Sequence, residues 1–224
     1  IETLSKNKIV YKNLVKVFLF SGYVTSLVKE DVKTLEILQP DFAIRLNGNI
    51  TYYKNYLDKI SINNLDEEVL LDSLRQSHRL LKFQIIFALI NREININRAS
   101  QEFSLLAQAT FDTSLKIAES RIIKKYKIDN LSYSIVAYGR FATLSMTANS
   151  DLDLVFIYDG KNSNNNSTQK VYIELFRQLI RTLSSKTTEG LMYEVDTKLR
   201  PSGKEGPVVC LSLIHISEPT RPSL

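Results

Sequence analysis

The chain has 224 residues, 44% hydrophobic and 24% charged, with a net charge of +5. That is enough apolar material for a core, and it excludes an intrinsically disordered chain. No window approaches the 18 uninterrupted apolar residues of a membrane span, and the single cysteine, Cys210, excludes a disulfide framework or a cysteine-based zinc cluster. A lone cysteine suits a reducing cytoplasm, so a cytoplasmic location is expected. Lysine and arginine are scattered rather than clustered, so no nucleic-acid partner is expected. The mild basic excess reads first as an ordinary solvated surface, with an electrostatic pull on an anionic substrate such as ATP as the alternative.

The first residue is Ile1, and no signal-peptide pattern follows it, so the chain reads as a piece of something longer. Glycine and proline are unevenly placed. Before residue 139 there are two glycines (Gly22, Gly48) and one proline (Pro40), whereas five glycines lie from Gly139 onward. The first part is therefore expected to be mostly helical and the second to contain turns.

In chain order, residues 9–38 predict two shorter helices broken near Ser21 and Gly22, and residues 40–52 predict a loop. Residues 66–92 carry Leu70, Leu74, Leu81, Ile85 and Leu89 at helical spacing, with Asp66, Glu67 and Glu68 where the helix dipole favours anions. Residues 101–126 carry an apolar stripe from Phe103 to Ile122, with Ser100 as the expected N-cap. His78 lies on the 66–92 helix and is given no chemical role.

The pattern changes at residue 130. Ser132–Tyr138 (SYSIVAY) and Leu152–Tyr158 (LDLVFIY) are strand-length runs of β-branched and aromatic residues. A polar loop over 159–168 follows, then a helix over 169–185, a third strand over 191–196, and a loop marked by Pro201, Gly203 and Gly206. The expected fold is α+β: a helical segment over 1–129, then a β–turn–β–α–β core over 130–210. Residues 211–221 read LSLIHISEPTR, which matches the in-frame translation of a sequencing-library transposon adapter. The stretch 211–224 is accordingly expected to be an unstructured adapter artefact. It holds His215, which leaves His78 as the other histidine and makes histidine-based catalysis an unpromising reading.

The chemistry concentrates at Ser150-Asp151-Leu152-Asp153, at the start of a strand. Residues i and i+2 of a strand point to one face, so Asp151 and Asp153 aim their carboxylates at one point. Two like charges that close call for a cation between them, and hard oxygen ligands select Mg²⁺ or Mn²⁺. Leu152, Leu154 and Phe156 face the other way, toward helices. Gly139 sits twelve residues before Asp151, just after a strand, where glycine allows close backbone approach to a phosphate. Asp196 ends the third strand. If that strand neighbours Leu152–Tyr158, three carboxylates share one site, which suits two-metal phosphoryl or nucleotidyl transfer. A phosphatase-type DxDx[TV] motif also fits Asp151–Val155, but there the apolar strand precedes the first aspartate. A glycosyltransferase DxD lacks a sugar-nucleotide fold upstream.

The blocks YGRFATLSMTANSDLDLVFIYD (138–159) and YEVDTKLRPSGKEGPV (193–208) resemble the glutamine synthetase adenylyltransferase family, whose core is polymerase-β-like. SDLDLVF with LMYEVD and LRPSG is similar to the family's C-terminal, adenylylating core, and MTANSDLDL to its alphaproteobacterial branch. The upstream helices SGYVTSLVKEDVKTLEIL and LLDSLRQSHRLLKFQI resemble the segment before that core, so the likeness covers most of 9–210.

The resemblance implies an N-terminal helical bundle followed by a nucleotidyltransferase core with a small mixed sheet. It implies transfer of AMP from ATP to a tyrosine of glutamine synthetase. The alternatives are a deadenylylating core that removes AMP with phosphate, and a non-catalytic fragment that binds glutamine synthetase. Asp151, Asp153 and Asp196 match the metal-binding carboxylates. Gly139, Arg140 and Ser150 match the phosphate turn and DxD entry, and Lys198 and Arg200 match a basic pair for the triphosphate. The resemblance also implies a nitrogen-regulatory P-II protein as effector. Ala142 and Thr143 stand where the family has Gly-Gly, and Ser145 where it has Glu; a Cβ at such a turn narrows the space for a nucleotide.

Overall fold

A computed structural model describes residues 46, 48–60, 66–158, 166–187, 190–197 and 209–211, with isolated helical residues between 11 and 26. Elements are numbered from Ile50: α1 (Ile50–Leu57), α2 (Glu67–Ile90), α3 (Ile96–Tyr126), β1 (Tyr133–Ala137), α4 (Gly139–Ala142), β2 (Leu152–Tyr158), α5 (Asn166–Ser184), β3 (Val195–Asp196) and β4 (Val209–Leu211). The chain is α+β, rich in helix, with one small mixed sheet. β2 pairs antiparallel with β1 (Ile135 opposite Phe156) and parallel with β3 at one end and β4 at the other.

α3 is the frame of the molecule. Its 31 residues pack against α1, α2 and α5. Phe103, Leu106, Ile117 and Ile122 of α3 join Leu74, Leu81 and Ile85 of α2 in one buried cluster. The same cluster takes in Leu152, Leu154 and Phe156 of β2 with Leu175, Phe176 and Leu179 of α5, so one core spans helices and sheet. Phe156 stacks on Phe176 with ring centroids 4.3 Å apart. Each such fully buried side chain contributes roughly 1.5–3 kcal/mol over its exposed state.

A buried polar network ties the start of α1 to α3. The Glu102 carboxylate accepts Tyr53 Oη at 2.7 Å and the Gly48 N–H at 2.8 Å, and pairs with Arg98 Nε at 2.9 Å. Gly48 has φ +74°, and a Cβ there would lie 2.9 Å from the Arg98 guanidinium. Burial first, and the Glu102 charge second, push the Tyr53 phenol far above its ordinary value. Tyr53 is thus a neutral donor.

Several expectations are corrected. Ser100 is not an N-cap: α3 begins four residues earlier at Ile96, because the Asn95 side chain accepts the Arg98 N–H at 2.8 Å and caps the helix there. The loop expected over 40–52 ends at Asn49, whose side chain accepts the Thr51 N–H at 2.9 Å and starts α1. The third strand is far shorter than 191–196. Both Met192 and Tyr193 donate their N–H groups to the carbonyl of Leu183 at the end of α5, so only Val195 and Asp196 reach the sheet. β4 was not expected, and it takes in Leu211, the first residue of the stretch read as an unstructured tail. The break near Ser21 falls outside the described residues, although Gly22 is helical; the loop from Pro201 to Gly206 and residues 212–224 also lie outside them.

Candidate functional site

The site forms where β1 hands over to α4 and β2 begins. Asp151 immediately precedes β2, Asp153 is its second residue, and the β2–β3 register sets Asp153 opposite Asp196. The Leu152 N–H donates to the Glu194 carbonyl at 2.9 Å and fixes that register. One carboxylate oxygen from each of Asp151, Asp153 and Asp196 lies within 4.8 Å of the others. Asp151 is exposed; Asp153 and Asp196 are half-buried.

Electrostatics at the triad run against three free carboxylates. Burial first, then the charges of Asp151 and Asp196, raise the Asp153 carboxyl above its ordinary value. A divalent cation reverses that balance, because it turns mutual repulsion into shared attraction. The donor set is all oxygen, which suits Mg²⁺ or Mn²⁺. The residues present therefore fit such an ion.

Gly139 closes one side of the site. It has φ +57°, in the left-handed region, and a Cβ on it would lie 2.2 Å from Asp153 Oδ2. The position requires glycine because the Asp153 carboxylate occupies the space a side chain would take. The neighbouring Tyr138 N–H donates to the Asp153 carbonyl at 2.9 Å, holding the turn against β2.

The turn after Gly139 tolerates its side chains. Ala142 and Thr143 are exposed, and Thr143 has an ordinary φ of −88°. Thr143 Oγ1 donates to the Gly139 carbonyl at 3.1 Å and lies 2.7 Å from Ser145 Oγ. The left-handed residue falls instead at Leu144, with φ +53° and its side chain 55% exposed.

Ser150 is buried and holds a turn. Its hydroxyl accepts the Thr147 N–H at 2.9 Å and meets Thr147 Oγ1 at 2.9 Å. Arg140 is exposed, and its guanidinium reaches Thr147 Oγ1 at 3.5 Å. The structure brings together Gly139, Arg140, Ser150, Asp151, Asp153 and Asp196; Lys198 and Arg200 lie outside the described residues. The turn-forming role of Thr147 and the backbone ties from Tyr138 and Glu194 were not foreseen. The Thr147-x-x-Ser150 spacing was a readable signal for the turn; the backbone ties left no sequence signal.

A DxD pair opening a strand, a third carboxylate on its parallel neighbour and a glycine turn against them define a protein with a candidate divalent-cation site. The family model described as glutamate-ammonia ligase adenylyltransferase matches residues 11–213, and the chain belongs to that family. Among curated relatives, the bifunctional glutamine synthetase adenylyltransferase/adenylyl-removing enzyme of Brucella melitensis is 36% identical over 151 residues, 64% of this chain and 15% of the relative. Enzymes of the same description from Alteromonas mediterranea and Idiomarina loihiensis are 28% and 26% identical, over 94% and 93% of this chain and 23% and 24% of their own lengths. The chain thus spans less than a quarter of the length of these relatives. Among the described residues, no helix is long and apolar enough to cross a membrane.

Proposed function

We propose that residues 130–210 form a polymerase-β-like nucleotidyltransferase core, preceded over 1–129 by a helical bundle, and that it transfers AMP from ATP to a tyrosine of glutamine synthetase. The convergence of Asp151, Asp153 and Asp196 beside the Gly139 turn carries this reading. In the reaction the bond between the α-phosphorus and the bridging oxygen to the β-phosphate breaks. A phosphodiester to the tyrosine oxygen forms, and pyrophosphate leaves.

Asp151, Asp153 and Asp196 would hold Mg²⁺ or Mn²⁺. Such an ion, when bound, supplies Lewis-acid activation of the attacking phenol and neutralises charge on the leaving pyrophosphate. The Gly139 turn keeps the chain clear of Asp153 and leaves its backbone open to a phosphate. Arg140, Lys198 and Arg200 supply positive charge for the triphosphate, and Ser150 holds the entry to the DxD in shape. The phenol proton passes to solvent in this reading, so no protein base is invoked. A P-II-type nitrogen-regulatory protein is the effector this reading expects.

A second reading has a specific basis, because the relatives are described as both adenylylating and adenylyl-removing. The discriminating experiment offers the chain two substrates. With unmodified glutamine synthetase, Mg²⁺ and α-labelled ATP, label enters glutamine synthetase. With adenylylated glutamine synthetase and phosphate, no ADP forms. ADP release in the second assay without labelling in the first reverses the assignment to the deadenylylating core. Neither reaction, together with no metal-dependent ATP binding in calorimetry, favours a non-catalytic module.

A further inference from the structure

We propose that Ser100 and Ser104 of α3 are positioning residues for the Asp151 and Asp153 carboxylates, acting through a two-hydroxyl clamp on the backbone of Met146. The proposal rests on the reading of the triad as a cation site. Ser100 Oγ donates to the Met146 carbonyl at 2.9 Å. Ser104 Oγ accepts the Met146 N–H at 3.2 Å and donates to the Ser100 carbonyl at 2.8 Å. The four-residue spacing puts both hydroxyls on one face of α3.

Met146 needs such partners. It lies in irregular chain between α4 and β2, and its side chain is fully buried in the core. Buried backbone groups outside a helix or sheet ladder must find other partners, and here both of them go to α3. Serine is not a preferred residue inside a helix, because its hydroxyl competes for backbone groups. Two serines one turn apart, both bound into the same foreign residue, mark a contact this fold uses.

The clamp leads directly to the DxD. One residue after Met146, Thr147 and Ser150 close on each other through their hydroxyls, through the Thr147 N–H to Ser150 Oγ, and through the Ser150 N–H to the Thr147 carbonyl at 3.3 Å. Asp151 follows at once. On its other side, the Leu152 N–H is held by the Glu194 carbonyl at 2.9 Å. Asp151 is thus suspended between two anchors: the β2–β3 pairing, and a short braced loop bolted to α3. Loss of the braced loop frees the Asp151 end of the triad while leaving the β1–β2 ladder in place.

The test compares the 224-residue chain with Ser100→Ala/Ser104→Ala, Ser100→Ala and Ser100→Thr, using Mn²⁺ titration and amide hydrogen exchange. The double variant folds, exchanges the amides of Thr147 and Ser150 faster, and keeps those of Val136 and Val155, which face each other across the β1–β2 ladder, unchanged. Its Mn²⁺ affinity falls about 10-fold or more, the range seen when outer supports of metal ligands are removed. Ser100→Thr keeps both properties, because it restores the hydroxyl. A folded double variant with wild-type Mn²⁺ affinity overturns the proposal, since a merely structural clamp would cost stability alone. So does unchanged exchange at Thr147 and Ser150. If the wild-type chain binds no Mn²⁺, the cation reading fails by itself, and the exchange result still decides whether the clamp holds the loop. If the double variant does not fold, Ser100→Ala, which leaves the bond from the Met146 N–H to Ser104 in place, carries the same comparison.

Discussion

Gly139 and Asp153 occupy each other's space: a Cβ on the glycine would stand 2.2 Å from the carboxylate oxygen Oδ2. The glycine therefore does two things at once. It adopts the left-handed φ of +57° that turns the chain from β1 into α4, and it leaves room for a carboxylate aimed at the triad. Substitution Gly139→Ala removes both. The backbone conformation alone costs an L-residue about 1–2 kcal/mol. At about 2–4 °C per kcal/mol for a chain of this size, the Tm falls by at least roughly 2 °C, before the clash is counted. Mn²⁺ affinity falls as well, because Asp153 must swing away. A thermal melt with and without Mn²⁺ checks both; wild-type values for the variant would refute the steric account.

Like charge at the triad predicts a stability that depends on metal. The Asp153 carboxyl is raised by burial, then by Asp151 and Asp196. A raised carboxyl favours the fold when protonated, so its contribution is full below the ordinary carboxylate range and is lost as pH rises through the raised value. At neutral pH in EDTA the triad is therefore at its least favourable. Mg²⁺ at about 100 times its Kd stabilises the folded chain by about 2.7 kcal/mol. Asp153→Asn melts higher than wild type in EDTA and gains nothing from Mg²⁺. Calorimetric melts at pH 7 decide this, and equal Mg²⁺ stabilisation of the two proteins would contradict it.

His78 gives the fold an acid limit. It is buried against Tyr193, with ring centroids 4.8 Å apart, and its Nε2 has no hydrogen-bond partner among the described residues. Burial first, and the Lys82 charge second, push its pKa down to about 3. The unfolded chain takes up a proton near the ordinary value of 6.5, and the folded chain refuses it until about 3. His78 therefore favours the fold fully above that ordinary value, and the advantage drains away as pH falls toward 3, by up to about 1.4 kcal/mol per pH unit. Denaturant titrations of His78→Leu between pH 7 and pH 4 should show a flatter decline than wild type. Parallel declines would show that the imidazole is not the group responsible.

The end of α3 offers a stabilising change. Lys127 is exposed and closes the helix in the left-handed region, with φ 51°. Glycine is the usual residue there. Lys127→Gly relieves the strain, less the extra entropy of an unfolded glycine, and a gain of about 0.5–1 kcal/mol is expected. A Tm raised by roughly 1–4 °C would agree; a lower Tm would show that Lys127 contributes more than its backbone strain costs.

Much of this arrangement was legible in the residues. Leu152–Tyr158 announced itself as a strand because its apolar run has strand length, and Asp151 and Asp153 were visible as a pair because strand periodicity fixes where side chains point; Asp196 joined them only on the condition that its strand neighbours theirs, which the β2–β3 pairing meets. What escaped was set by particular hydrogen bonds, one local and the others between segments apart in sequence. Asn95 outcompeted Ser100 as a cap because its side chain reaches the Arg98 N–H. The strand expected over 191–196 shrank because the Leu183 carbonyl captured two of its amides. β4, which pairs with β2 across a long separation in sequence, has too few residues to carry a pattern. The need for glycine at 139 was legible, but one reason for it was not: a Cβ there would meet the Asp153 carboxylate.

The central claim is that Asp151, Asp153 and Asp196 act as one cation site. Titration of the chain with Mn²⁺, followed by electron paramagnetic resonance of the free ion, tests it most directly. Saturable binding in the wild-type chain, lost in both Asp153→Asn and Asp196→Asn with the fold intact, is the predicted result. Undiminished binding in either folded variant would contradict it.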